Sequence, residues 1–222
     1  MGSNRGLAEL VGQASGPVSR TPKRLKDVPV TLDKARKVEL EALLHLRDGF
    51  VTLGGALLVR PTTSVASTRG IEDWNMLSLW RTPYKSASEI LFFAETVTGT
   101  QFGIYRDEIV RFDPDRGMYE HYAFSLDAWA DRVVKEADAL GRALVQSWNA
   151  EHPTLGRNER LQPRVPASIA TEDPEYRVTQ DIELMRRWAR WYRERTNADV
   201  PPRQAPDWWW EDAAGVDDPV PV

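Results

Sequence analysis

Residues 90–123 read ILFFAETVTGTQFGIYRDEIVRFDPDRGMYEHYA, and this stretch decides the fold. It holds four short runs rich in β-branched and aromatic residues: 90–96, 101–106, 108–112 and 118–123. The links between them are 97–100 with Gly99, then Asp107, then Asp113-Pro114-Asp115-Arg116-Gly117. Links this short join only antiparallel neighbours. In the last link Pro114 presets φ and Gly117 accepts the left-handed position, which is hairpin chemistry. The stretch predicts an antiparallel β-meander.

A helix should follow directly. Ser125 suits the N-cap and Asp127 complements the helix dipole. Leu126, Trp129, Val133, Ala137, Leu140, Leu144 and Trp148 then recur at spacings of three and four, giving one apolar stripe to lay on the meander. Pro153 and Gly156 close it. Upstream, a helix should begin at Thr31 or Asp33, with Ala35, Val38, Ala42 and Leu46 as its buried stripe and Gly49 beyond its end. Residues 50–60 read as one extended segment with Val51, Leu53, Leu57 and Val59 on one face and a bulge at Gly54-Gly55. A loop (61–70) and a helical turn near 73–79 carry the chain to the meander. A polar connection (155–178) leads to a last helix over 180–195, burying Ile182, Met185, Trp188 and Tyr192, with Arg186, Arg187, Arg190 and Arg193 outward. The fold class is α+β, an antiparallel or mixed sheet packed against helices. It occupies residues 31–196, between a disordered basic segment (1–30) and a flexible acidic tail (197–222).

Composition narrows the function. The 222 residues include no cysteine, which removes disulfides, thiolate nucleophiles and cysteine-bound zinc. A net charge of -4 argues against a nucleic-acid binder. No run reaches the roughly 18 apolar residues of a membrane span, and residues 1–13 hold no signal-peptide core. A cytoplasmic protein without membrane insertion is expected.

Motifs for catalysis are missing from the sequence. There is no nucleophile elbow, no phosphate-binding glycine loop and no dinucleotide fingerprint. His45, His121 and His152 lack ligand spacing, and Glu41 with His45 reads as an ordinary helix pair. Asp113-x-Asp115-x-Gly117 lacks the rest of a calcium loop and reads as a turn. No enzyme activity, cofactor or metal is expected. Nine tryptophans favour protein binding instead. Trp129, Trp148 and Trp188 fall on helical stripes and read as core. Trp74, Trp80 and Tyr84 form either a secondary cluster or an exposed aromatic surface. Trp208-Trp209-Trp210 has no periodic explanation, and either docks in a partner's groove or packs back on its own domain.

A family likeness is carried by Ile90-Leu91-Phe92-Phe93-Ala94-Glu95, Gly99-x-Gln101-Phe102-Gly103-Ile104, Val110-x-Phe112-Asp113 and Ala123-Phe124-Ser125-Leu126-Asp127-Ala128-Trp129. This ordered series resembles the SUKH superfamily, which includes a yeast cell-wall assembly regulator and many bacterial immunity proteins. Residues 43–60 and 158–166 look like its longer actinobacterial members, so the likeness spans about residues 35–195. Where the family usually has an Asn-Gly pair after its first helix, this chain has Arg47-Asp48-Gly49. The resemblance implies an α+β scaffold with a variable partner-binding surface and no shared catalytic residues. It makes an immunity-type protein that neutralises a toxin the leading expectation. A regulatory or assembly adaptor working through the tails is second, and an unrecognised hydrolase third. Candidate partner contacts are Glu95, Gln101 and Tyr105 as outward sheet positions, the turn at Arg106, Asp107 and Glu108, and Trp208, Trp209 and Trp210.

Overall fold

The computed structural model describes residues 5–211 except 27, 28, 30, 67 and 173. In chain order its elements are α1 (Arg5–Gly12), α2 (Lys34–Leu46), β1 (Phe50–Thr52), β2 (Leu57–Val59), α3 (Ile71–Trp74), β3 (Leu91–Thr96), β4 (Gln101–Tyr105), β5 (Glu108–Asp113), β6 (Met118–Ala123), α4 (Leu126–Lys135), α5 (Arg142–Glu151), β7 (Glu159–Pro163), β8 (Tyr176–Gln180), α6 (Asp181–Asn197) and α7 (Asp207–Trp210). Strands β1 to β6 form one antiparallel sheet in sequential order. The meander read from the sequence is its larger part, with β1 and β2 added beside β3. The fold is α+β.

Both faces of this sheet are covered. One packs Leu91, Phe93, Phe102, Ile104 and Ile109 against Leu126, Trp129 and Val133 of α4 and Leu40, Leu43 and Leu44 of α2. The other packs Ile90, Phe92, Val110 and Phe112 against Trp74, Trp80, Tyr84 and the Leu184, Met185 and Trp188 side of α6. Each fully buried large side chain contributes about 2–3 kcal/mol of transfer free energy, so two apolar layers stabilise the sheet from both sides. A strand buried on both faces reads as an unbroken apolar run, and Leu91-Phe92-Phe93-Ala94 is one. Trp74, Trp80 and Tyr84 are therefore a secondary core, fully buried. The turn at Asp113 to Gly117 is anchored too, because Asp115 accepts Ser168 N at 2.7 Å and Trp191 Nε1 at 2.8 Å.

Several expectations are corrected. Residues 5–12, expected without structure, form α1, which buries Leu10 and Val11 in the first core. Gly6 permits its close crossing with α4: a Cβ there would lie 2.4 Å from Asp127 O and 2.6 Å from Asp131 N. Residues 50–60 are a hairpin, not one extended segment, because Leu53–Gly55 makes a reversing turn with Gly54 at φ +68°. The long helix after Ser125 is two, broken where Gly141 adopts φ +104° against Val97. Trp148, expected in the core, is only partly buried and stacks on His152 at 3.8 Å. The polar connection contains the β7–β8 hairpin. Arg187 is buried rather than outward. For Trp208 to Trp210, left open between a partner's groove and the chain's own domain, residues 207–210 form α7 and Trp209 packs into the second core. The remainder of the tail, 212–222, lies outside the described residues.

Candidate protein-docking face

Three of the expected contact residues are not on the surface: Trp209 in the tail, and Glu95 and Gln101 in the sheet. Glu95 and Gln101 have no exposed area. Glu95 lies at the centre of a buried ionic network that joins the sheet to β7 and α6. Its Oε1 accepts from Arg60 Nη2 at 2.5 Å and from Arg160 Nη2, and Arg60 Nη2 also donates to Asp181 Oδ2 at 2.9 Å. Gln101 Nε2 donates to Glu95 Oε2 at 3.1 Å, and Trp74 Nε1 donates to Gln101 Oε1 at 2.9 Å. The Arg60 guanidinium stacks 3.3 Å over the Trp74 ring. Burial lowers the Arg60 pKa, with Glu95 and Asp181 opposing the shift. Two guanidinium groups facing two carboxylates, each hydrogen-bonded, is how buried charge is tolerated. Nothing here is open to a partner.

The β4–β5 turn is exposed as read. Arg106 and Asp107 are exposed, and Tyr105 and Glu108 are half-buried. Arg106 holds φ +55°, a conformation that glycine adopts freely and other residues adopt at a cost of about 1–2 kcal/mol. Its carbonyl accepts Asp33 N at 2.9 Å, and its guanidinium lies 5.0 Å over Tyr105. Beside it Glu108 Oε2 pairs with His121 Nδ1 at 2.6 Å, and the His121 ring packs 4.2 Å from Phe124. Phe124 is 74% exposed.

Asp33 links this turn to α2. It caps the helix by accepting Ala35 N at 2.8 Å and Arg36 N at 3.2 Å. The helix then buries Leu40, Leu43 and Leu44. Ala35, Val38, Ala42 and Leu46, expected as the buried stripe, are all exposed, Leu46 by 69%. Leu40, Leu43 and Leu44 take the core instead, because three leucines bury more apolar area than two alanines, a valine and a leucine. Ala42 and Leu46 line a groove of about 450 Å³ with Leu7 of α1 and Leu126 of α4. Its walls are tied by backbone N–H groups donating to side-chain carboxylates: Leu7 N to Asp127 Oδ1 at 3.0 Å and Leu126 N to Glu39 Oε2 at 3.1 Å. The C-terminal half of the exposed stripe thus borders a groove, and Asp33 ties the N-terminal end of the same helix to the strained arginine turn. Clusters of this kind mark interaction sites.

The tryptophan tail is placed elsewhere. Trp209 is fully buried against Trp188, 4.6 Å between rings, while Trp208 and Trp210 are partly exposed. Of the histidines, His45 Nδ1 bonds the carbonyl of Glu41 at 2.8 Å. Among the described residues no three His, Asp or Glu side chains are grouped to hold a metal. No described helix is long and apolar enough to cross a membrane. No protein-family model matches the chain, and no curated protein matches it.

Proposed function

We propose that this chain is a non-catalytic, cytoplasmic binding protein of the immunity type, which captures a protein toxin through the α2 face. The observation that carries this reading is the exposed stripe Ala35, Val38, Ala42 and Leu46, set in a helix that already buries three leucines. A helix with apolar residues on both sides has one side more than its own core requires. The resemblance of residues 35–195 to SUKH proteins supplies the class of partner. The adaptor reading, which works through the N-terminal segment and the tryptophan tail, stands second, since one of the three tail tryptophans, Trp209, is covered by the chain's own α6.

Three of the four net negative charges lie in residues 212–222, leaving the rest of the chain at -1. Long-range attraction to a basic toxin is therefore a minor part of the account, and apolar contact at the face dominates. The test is to search the genes beside this one for a toxin and to co-express its product with this chain. Wild type should protect the cell and co-purify with the toxin, while Val38→Asp with Leu46→Asp should do neither. Protection by the doubly substituted protein would sink the assignment of the face. Absence of any toxin-protecting effect by wild type would sink the immunity reading.

A further inference from the structure

A row of arginines runs along α6 with too few carboxylates to balance it. Arg186, Arg190 and Arg193 follow at spacings of four and three, so they share one helix face, and all three are partly exposed. Arg190 Nε donates to Glu194 Oε1 at 2.8 Å. Arg186 Nε donates to the carbonyl of Leu79 at 3.3 Å, and among the described residues neither its guanidinium nor that of Arg193 meets a carboxylate. The acids on this side of the helix are already committed: Glu183 accepts from the buried Arg187 at 2.7 Å, and Glu194 also accepts Trp208 Nε1 at 3.2 Å. Like charges at these spacings lower helix stability. The row works against folding, so its presence needs another reason.

The face continues into an apolar turn. Leu77–Arg81 packs on α6, where Leu79 meets Arg186. Met76 and Leu77 at its tip are 54% and 52% exposed. The turn is pinned from beneath. Buried Arg81 donates to Asn75 O and to Ile90 O, each at 2.8 Å, and Trp80 Nε1 donates to Trp74 O at 3.1 Å. The two aliphatic side chains are thus held outward on a rigid support. Beside them lies a hollow of about 610 Å³ whose lining includes Met76, Leu79, Ile182 and Arg69.

We infer that this face docks an acidic amphipathic helix of a partner protein, with an aliphatic side chain in the hollow and carboxylates along the arginine row. Arg186 and Arg193 lie about 10 Å apart along the helix axis, which carboxylates at i, i+4 and i+7 of a second helix match. Nucleic acid fits less well, because Arg190 covers the Trp208 ring at 4.2 Å and removes a stacking platform. A membrane supplies headgroup charge but no side chain to fill the hollow. The face lies across the sheet from α2, so it stands apart from the toxin-capturing reading.

The probe is a fluorescein-labelled, alanine-based peptide of about 15 residues, with Glu at i, i+4 and i+7 and Leu at i+1 and i+8. Its anisotropy with the full chain should show saturable binding. Affinity should fall by about tenfold or more for Arg186→Glu with Arg193→Glu, and likewise for Met76→Ser with Leu77→Ser. A peptide with Gln in place of Glu should lose as much against wild type, a comparison that needs no altered protein to fold. Absence of saturable binding by wild type overturns the inference, as does equal affinity for either variant or for the Gln peptide. Wild type that ignores the peptide but sediments with phosphatidylserine vesicles, or binds oligothymidylate, overturns it in favour of a lipid or a nucleic acid.

Discussion

Glu95 offers a sharp test of the structure, because a surface role and a buried role predict opposite phenotypes. In the buried network Arg60 and Arg160 face Glu95 and Asp181, so the charges cancel. Glu95→Gln keeps the side-chain volume and removes one negative charge, leaving a net positive charge in a site without solvent. Breaking a buried pair by removing one partner costs about 3–5 kcal/mol. With a urea slope of roughly 2–3 kcal/mol per molar, the unfolding midpoint should fall by about 1.5 M. Arg160→Met should recover part of that loss when combined with Glu95→Gln, since Arg160 is the guanidinium that loses its carboxylate partner while Arg60 keeps Asp181. Binding of the partner at micromolar excess should be unchanged at temperatures where the variant stays folded. A midpoint shift below about 0.3 M, with binding lost, would refute the buried network and return Glu95 to the surface.

Three further outcomes follow from named contacts. Arg106→Gly removes the strain of φ +55° and should raise stability by up to about 1 kcal/mol, while weakening partner binding; a gain in both would show that the turn does not contact the partner. Gly6→Ala places a methyl group into the α4 backbone and should cost about 1–3 kcal/mol, with α1 becoming the first site of limited proteolysis; an unchanged melting temperature would contradict the α1–α4 crossing. In alkali, burial holds the Tyr84 and Tyr122 hydroxyls protonated in the folded state, and Glu136 adds to the shift at Tyr122. Unfolding then releases protons above about pH 10, so each tyrosine lowers stability by about 1.4 kcal/mol per pH unit as pH rises. Arg81, pushed down to about 10 by burial, opposes one of them above that pH. Denaturant midpoints between pH 9 and 11 should fall, and Tyr84→Phe should flatten the slope; a rising midpoint would contradict the account.

The sequence made the meander legible because each turn carries its own chemistry. The Pro114 to Gly117 link and Gly99 fix antiparallel order without reference to anything distant. What stayed hidden depended on partners far along the chain. Glu95 and Gln101 alternate as outward positions should, yet α6 and residues 71–90 cover that face, and only the unbroken run Leu91 to Ala94 hinted at a second layer. Leu10 and Val11 gain their burial from α4, more than a hundred residues away, so a short polar-flanked segment read as disorder. On α2 both stripes satisfy helical spacing, and periodicity alone does not rank them. Three leucines against two alanines, a valine and a leucine was the available signal. Of the contact residues named from sequence, Arg106, Asp107 and Glu108 stayed at the surface, while Trp209 proved to be seated in its own domain.

The most direct test of the central claim is a paired measurement on Val38→Asp with Leu46→Asp: the unfolding free energy and the dissociation constant for the toxin that the chain is proposed to capture. Exposed positions tolerate substitution within about 0.5 kcal/mol each, so the account predicts stability within about 1 kcal/mol of wild type and binding weakened at least tenfold. A protein destabilised by several kcal/mol would place the stripe in the core, and one that binds as tightly as wild type would place the partner elsewhere.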